Sequence, residues 1–334
     1  MSRLLVTGGM GFIGSAFVRR HLKAGDDVVV VDKLTYAGNP NNLRDHRDDP
    51  RLRFVKGDVC DRGLMDRVVA DADAVVHFAA ETHVDRSILD AGTFVQTDVL
   101  GTFAVLEACR RGDVDRLVHI STDEVYGEAV GRPCGEDAAL MPKSPYAASK
   151  AGADRLAFAY HATYGLPVVI SRCTNNYGPY QHPEKLIPLF ATNAIDDKPL
   201  PVYGDGRSSR DWIHVDDHCA ALDLLLTAKG VEGETFNIGA GEERDVRTVG
   251  EAVLRILGKP ESLLRSVQDR PGNVMRHAVD TTRIRTRLKW SPKTTFEEGL
   301  RETVEWYRAN AWWWRPVKSG EFKGYYDVQY RGLA

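Results

Sequence analysis

The chain has 334 residues, 43% of them hydrophobic and 27% charged, so it can bury a full core and is long enough for two lobes. A formal net charge of −3 offers no global attraction to a polyanion. Neither nucleic acid nor a membrane is therefore an expected partner, and any bound phosphate needs local basic residues.

The first predicted strand, Leu4 to Val6, begins within a few residues of Met1, leaving no room for a charged and apolar leader. No later apolar run could span a bilayer, and the expectation is a cytoplasmic protein. Cys60, Cys109, Cys134, Cys173 and Cys219 are scattered, show neither a CxxC nor a metal-ligand spacing, and read as reduced thiols. After the first strand come Gly8, Gly11 and Gly14, with Phe12 and Ile13 between the last two, and then a helical stretch from Phe12 to Lys23. Such glycines let the backbone turn, approach a pyrophosphate and pack helix on strand, while the helix N-terminus faces the phosphates. The bland alternative is an ordinary glycine turn. Asp32 ends the next strand, Val28 to Val31, where a carboxylate accepts from an adenosine ribose hydroxyl and repels a 2′-phosphate. NAD is favoured over NADP, although Lys33 weakens the charge argument and a solvated turn aspartate would look the same.

Further strands are predicted at Leu52 to Val55, Ala74 to Phe78, Leu117 to Ile120 and Val168 to Ile170, with crossover helices between them. Their runs are continuously apolar rather than alternating, which implies a parallel sheet covered on both faces. The fold class is α/β, a doubly wound parallel Rossmann sheet with a smaller, interleaved α+β substrate-binding domain. Beyond about Arg172 the elements shorten and Pro, Gly and Tyr become frequent, yet Val215 to Lys229 is helical in period and Glu234 to Ile238 reads as a strand. The predicted division is 1–172 with a return segment at about 212–236, against 173–211 and 237–334.

After the strand at Leu117 stand Thr122, Asp123 and Glu124, at a carboxyl strand end where doubly wound folds hold ligands. If one carboxyl is desolvated while its neighbour stays ionised, one can donate a proton and the other accept one. A helix cap with a solvated acid is the alternative. Tyr146 and Lys150 lie four apart at a helix start, hence on one face, where an ammonium and a nicotinamide cation would stabilise a phenolate. His214 and His218 share the spacing of some metal pairs, but a structural pair is the stronger reading and no metal is expected. Trp312 to Trp314 read as packing of the tail against the body.

Taken together, the glycine loop, Thr122-Asp123-Glu124 and Tyr146-xxx-Lys150 resemble the extended short-chain dehydrogenase/reductase family, specifically its dTDP-glucose 4,6-dehydratases. The likeness extends to Ala79 through Ser87, Asn175 to Pro188 and Asp269 to Gly272. It implies that Tyr146, poised by Lys150, takes the sugar 4-hydroxyl proton while the C4 hydride passes to NAD. Glu124 removes the C5 proton and a neutral Asp123 protonates the departing 6-hydroxyl. The hydride then returns to C6, giving a 4-keto-6-deoxy sugar nucleotide with NAD regenerated, and Thr122 partners the substrate hydroxyl.

The same resemblance places Asp32, Lys33, Leu34, Thr35, Asp58 and Val59 around NAD, with Ala79, Ala80, Thr82, Thr97 and Asn176. It places His83, Asn175, Lys185, Leu186, Pro201 and Tyr203 along the dTDP-glucose site, with Arg210, Asn237, Arg270, Asn273 and Tyr330. Arginines suit diphosphate because a planar guanidinium binds its oxygens in a bidentate way. Two residues depart from the family's habit: Thr82 stands where Ser is common, and Asn273 where His is common, so altered affinity is expected rather than lost chemistry. A homodimer through the helices around 94–110 and 146–164 is expected by analogy. The rivals are a UDP-sugar decarboxylase, a 4-epimerase, and a non-catalytic NAD-sensing protein. An epimerase has no use for the Asp123–Glu124 pair, and a decarboxylase would need a cation for a C6 carboxylate.

Overall fold

A computed structural model of the chain describes residues 2–269 and 273–320, with residues 324 and 326. Seven parallel strands form the main sheet, in the spatial order Thr235–Ile238, Val168–Cys173, Arg116–Thr122, Ala74–His77, Arg3–Thr7, Asp27–Asp32 and Leu52–Lys56. Every residue from Arg116 to Thr122 and from Val168 to Cys173 is buried, which is why these runs lack a polar alternation. Strand order reverses between Arg3–Thr7 and Ala74–His77, opening a crevice beyond their carboxyl ends.

One face of the sheet packs Leu4, Val6, Val28 and Val30 against Phe17, Val18 and Leu22 of the helix Phe12–Ala24, and against Leu222 and Leu225 of Val215–Thr227. The other packs Leu5, Val75 and Leu117 against Met65, Leu106, Ala157 and Tyr160, from the helices Arg62–Val69, Thr102–Gly112 and Pro145–Tyr164. Each such side chain withdrawn from water contributes on the order of 1.5–3 kcal/mol, so two covered faces fix the sheet firmly.

The strand Thr235–Ile238 pairs with Ile170 through Cys173 in the main sheet, so the division predicted after residue 236 falls inside a strand. Ile284 and Trp290 also join the first core, which moves more of the late chain onto the Rossmann sheet than the composition indicated. The cause is register: a parallel strand of four residues needs all four ladder positions, and Asn237 and Ile238 supply two of them.

A separate core gathers Phe190, Trp212, Val253, Leu300, Tyr307, Trp313 and Trp314. Trp313 donates through Nε1 to Asn42 Oδ1 at 2.9 Å, tying the helix Ala311–Ser319 to the body, while Trp312 stays exposed. Above this core the strand Ser209–His214 pairs with Asn175–Tyr177, Glu243–Asp245 and Arg276–His277 in a small mixed sheet. That strand carries Arg210 toward the crevice of the main sheet.

Candidate active site

A cleft of about 420 Å³ occupies the crevice, with the ends of the main-sheet strands as one wall and the small sheet with residues 181–189 as the other. The first wall is backbone. Gly8 has φ +70°, and a Cβ there would lie 2.7 Å from the Ala79 nitrogen, while a Cβ on Gly14 would lie 2.3 Å from the Gly8 oxygen. Gly11 caps the following helix without a side-chain hydrogen bond, and the first turn holds no acidic residue. Its N–H groups are thus open to an anion, and the glycine cradle fits a dinucleotide diphosphate. Asp32 accepts from the Met10 and Leu34 backbone N–H groups at 2.9 and 2.8 Å, and Lys33 pairs with Asp58 at 2.7 Å.

Ser144 starts the helix Pro145–Tyr164 by accepting from the Ala147 N–H, with proline at the first position, and this puts Tyr146 and Lys150 one turn apart beneath the cleft. Lys150 is buried and donates to the Ile120 carbonyl at 2.6 Å. The proton affinity of Tyr146 is pushed well above a normal phenol by desolvation and by the charges of Glu124 and Asp98. Without a further positive charge beside it, Tyr146 therefore holds its proton, and the stabilisation of a phenolate expected from Lys150 is outweighed, since burial lowers the proton affinity of Lys150 itself. Behind Lys150, His77 is wedged between Thr7 and Thr102 hydroxyls at 2.7 and 3.0 Å and, through burial and the Lys150 charge, is pushed down to about 3. It is a neutral imidazole.

Thr122 caps a short 3₁₀ turn over Asp123–Tyr126, accepting from the Glu124 N–H at 3.3 Å, and this turn presents two consecutive carboxyls in different surroundings. Asp123 is buried, and its Oδ2 has no hydrogen-bond partner among the described residues. Desolvation first and the Glu124 charge second push it up to about 8, against the opposing field of Arg210. A carboxyl in that state is protonated at neutral pH and can serve as an acid.

The second wall is held by long-range side-chain pairs. Lys185 donates to the Thr82 hydroxyl at 3.1 Å and Tyr203 to Asp85 at 3.2 Å. Arg86 pairs with the buried Glu184 at 3.0 Å while its guanidinium stacks 3.6 Å from the centre of the Tyr36 ring, and Tyr36 donates to the Thr82 carbonyl at 2.6 Å. Surrounded by His83, His182, Lys185 and Arg86, Glu184 is held down at about 2 despite its burial. His83 itself has φ +100°, an uncommon conformation for a non-glycine residue.

Of the residues proposed for the dinucleotide, all but Leu34 line the cleft, and so do Thr122, Asp123, Glu124, His83, Asn175, Lys185, Leu186, Pro201, Tyr203, Arg210 and Asn273. Leu34, at φ +58°, contributes its backbone to Asp32 instead. Asn237 requires correction, because it is fully buried away from the cleft. Its Oδ1 accepts from the Tyr126 hydroxyl at 2.8 Å, and its Nδ2 donates to the Cys134 and Asp280 carbonyls. With those bonds made, it braces the Arg172–Asp154 ion pair through Tyr126 rather than meeting a ligand. Arg270 and Tyr330 lie outside the described residues.

The cleft also includes Glu81, Asp85, Gln181, His182 and Glu184, which lie within the stretches of family likeness but have no role assigned from the sequence. Their nearest signal is charge inside an apolar context, as at Glu184, and the partner Arg86 stands 98 positions away. His218 bonds to Asn176 Oδ1 at 2.8 Å, His214 caps the helix that follows it, and among the described residues no group of three or more candidate ligands gathers for a metal.

The family described as GDP-mannose 4,6 dehydratase matches residues 5–303. A dTDP-glucose 4,6-dehydratase of Streptomyces niveus is 53% identical, over 95% of this chain and 96% of its own. One from Neisseria meningitidis serogroup B is 50% identical, over 97% and 98%. The crystal structure of the Streptomyces venezuelae dTDP-glucose 4,6-dehydratase with NAD and TYD bound superimposes with a TM-score of 0.93 at 52% identity, covering 95% of this chain and all of that one.

Proposed function

The chain belongs to the GDP-mannose 4,6 dehydratase family, and from that premise we infer that it is an NAD-dependent hydro-lyase converting dTDP-glucose to dTDP-4-keto-6-deoxyglucose and water. The observation that carries the reading is the unlike pair at the strand end: a buried, protonated Asp123 beside Glu124, in one cleft with Tyr146. A 4-epimerase needs only a group at C4, so a second, desolvated acid of this kind favours elimination over epimerisation.

Bound NAD supplies a hydride acceptor for C4 and a donor for C6. Tyr146, which gives up its own proton only with the positive charge of a nicotinamide beside it, then takes the 4-hydroxyl proton, and Thr122 orients that hydroxyl. The resulting 4-ketone acidifies C5, from which Glu124 removes a proton as Asp123 gives its own to the 6-hydroxyl, so that water leaves. Glu124 returns a proton to C5 once C6 is reduced. Arg210 and Asn273 serve the diphosphate, and Lys185 with Tyr203 closes over the sugar nucleotide. Arg210 has a second effect: its charge draws Asp123 back toward the ordinary carboxylate range, keeping the acid willing to release its proton.

We further propose a homodimer through the helical stretches 91–112 and 145–164, where Val95, Leu100 and Phe158 are exposed apolar residues. A cytoplasmic setting is supported by five free cysteines and, among the described residues, by no helix long and apolar enough to cross a membrane. Light scattering at micromolar concentration should give twice the chain mass, and a monomer mass removes the dimer. The function is tested by incubating the NAD-loaded protein with dTDP-glucose in D2O: the 4-keto product should form with deuterium at C5. Saturating cofactor without product sinks the assignment.

A further inference from the structure

Asp98 is a carboxylate at the back of the cleft with no role in the steps above. It sits in a π-helical turn, Val95–Gly101, set within the longer helical run, and is 1% exposed. Such widened turns are frequent at functional sites because they re-aim side chains. Here Asp98 Oδ1 accepts from the Glu81 backbone N–H at 2.8 Å, and Oδ2 accepts from the Ser149 hydroxyl at 2.5 Å. Ser149 belongs to the helical turn that carries Tyr146 and Lys150, and its hydroxyl also lies 2.8 Å from the Tyr146 carbonyl. One carboxylate thus grips that turn from the neighbouring helix.

The charged and titratable groups around it come from several elements. Lys150 and Tyr146 face it from the helix Pro145–Tyr164, and Glu81 from the segment after Ala74–His77. Lys150 in turn faces His77, His119, Cys173 and Asp154, while Glu81 feels Lys33, Arg86 and Asp58. Burial raises Asp98 to about 6, opposed by Lys150, Ser149 and the Glu81 N–H, so it is ionised at neutral pH. Its charge raises the proton affinity of both Lys150 and Tyr146. Accepting from the Glu81 N–H does not by itself require a charge, since a neutral amide oxygen accepts it as well, and a buried carboxylate is costly.

We propose that Asp98 is a positioning residue acting through Lys150 and Tyr146: its carboxylate clamps the Ser149 turn from the neighbouring helix and sets a fixed negative charge behind both side chains. The inference rests on reading Tyr146 as the base of the first step. Asp98→Asn keeps the shape and the bond from the Glu81 N–H and removes the charge, while its Nδ2 donates to the Ser149 hydroxyl, which can still donate to the Tyr146 carbonyl. With the negative charge gone, the phenol releases its proton more readily, so the ascending limb of the first step moves to lower pH.

The test uses the NAD-loaded protein without substrate. Phenolate absorbance of the wild type minus that of Tyr146→Phe gives the Tyr146 midpoint, and the same difference is taken in the Asp98→Asn background. The midpoint should fall by on the order of one pH unit, Asp98→Glu should stay near the wild type, and the pH limb of dTDP-glucose oxidation should shift with the midpoint while KM holds within about twofold. An unmoved midpoint in folded Asp98→Asn overturns the proposal. Should that variant not fold, Ser149→Ala decides: it keeps the carboxylate but removes a donor, so the acid-side inflection of kcat near pH 6 should rise by about half a unit, and an inflection that stays in place overturns the proposal equally. If the wild type does not turn over dTDP-glucose, the dehydratase reading fails while the substrate-free titration still decides on Asp98.

Discussion

The two walls of the cleft are built on different physical terms. The wall formed by the main-sheet strand ends is backbone and close neighbours: Gly8, Gly14, the uncapped helix start and the Asp32 turn, all within the first 38 residues. The opposite wall is side chains joined across long stretches of chain, as in Arg86 with Glu184, Lys185 with Thr82, and Tyr203 with Asp85. A backbone wall tolerates almost no added atom, whereas a side-chain wall fails by leaving a charge unpaired. Chemistry sits where they meet, at Asp123, Glu124 and Tyr146.

The largest effect should follow from damage at that meeting line. Glu124→Gln should lower C5 deuterium exchange by roughly 10²–10⁴-fold while NADH still forms on adding dTDP-glucose. Equal loss of both would show that the residue does not separate elimination from oxidation. On the backbone wall, Gly14→Ala pushes a methyl group to 2.3 Å from the Gly8 oxygen, which no rotamer can relieve. It should cost about 3 kcal/mol or more in denaturant unfolding and strip the dinucleotide from the purified protein. Retention of NAD with an unchanged midpoint would contradict the tight cradle.

On the side-chain wall, Arg86→Ala leaves Glu184 buried without its guanidinium, although His182, His83 and Lys185 remain nearby. The expected loss is about 3 kcal/mol, at the lower end for a broken buried pair. Tyr36→Phe removes the hydroxyl that donates to the Thr82 carbonyl and also feels Glu184, and keeps the ring under Arg86, for about 1 kcal/mol. The two losses should not add, since both act on one stack, and a double-mutant cycle measures the coupling. Additivity would mean that Arg86 and Tyr36 do not act as one stack.

The same contrast explains what the sequence disclosed. Strands such as Val28 to Val31 and Val168 to Ile170, the glycine spacing, and Tyr146 with Lys150 on one helical face are local, so a period or a spacing reveals them. The strand-end carboxyls were legible as a pair, but their division of labour depends on how deeply Asp123 is buried and on Arg210, which lies in a strand of another sheet. Glu184, Asp98 and the bracing role of Asn237 were hidden because each is defined by partners far off in the chain. Asn237 shows the limit most clearly: a polar residue near a ligand-binding strand end reads as a contact until its buried partners are known.

A further effect concerns stability and carries a sign. The folded-state proton affinity of Asp123, at about 8, lies above that of an unfolded aspartate near 4. The folded chain therefore binds the extra proton, and its stability falls as pH rises between those two values. Asp123→Asn has no proton to lose, so its advantage over the wild type should grow from pH 5 to pH 8 and then level off. Thermal midpoints should favour the variant by several degrees at pH 8 and by less at pH 5, although elimination is lost. A gap that is the same at both pH values would mean that Asp123 is not the desolvated acid, and the strand-end pair would then be two alike carboxylates with no basis for dividing acid from base.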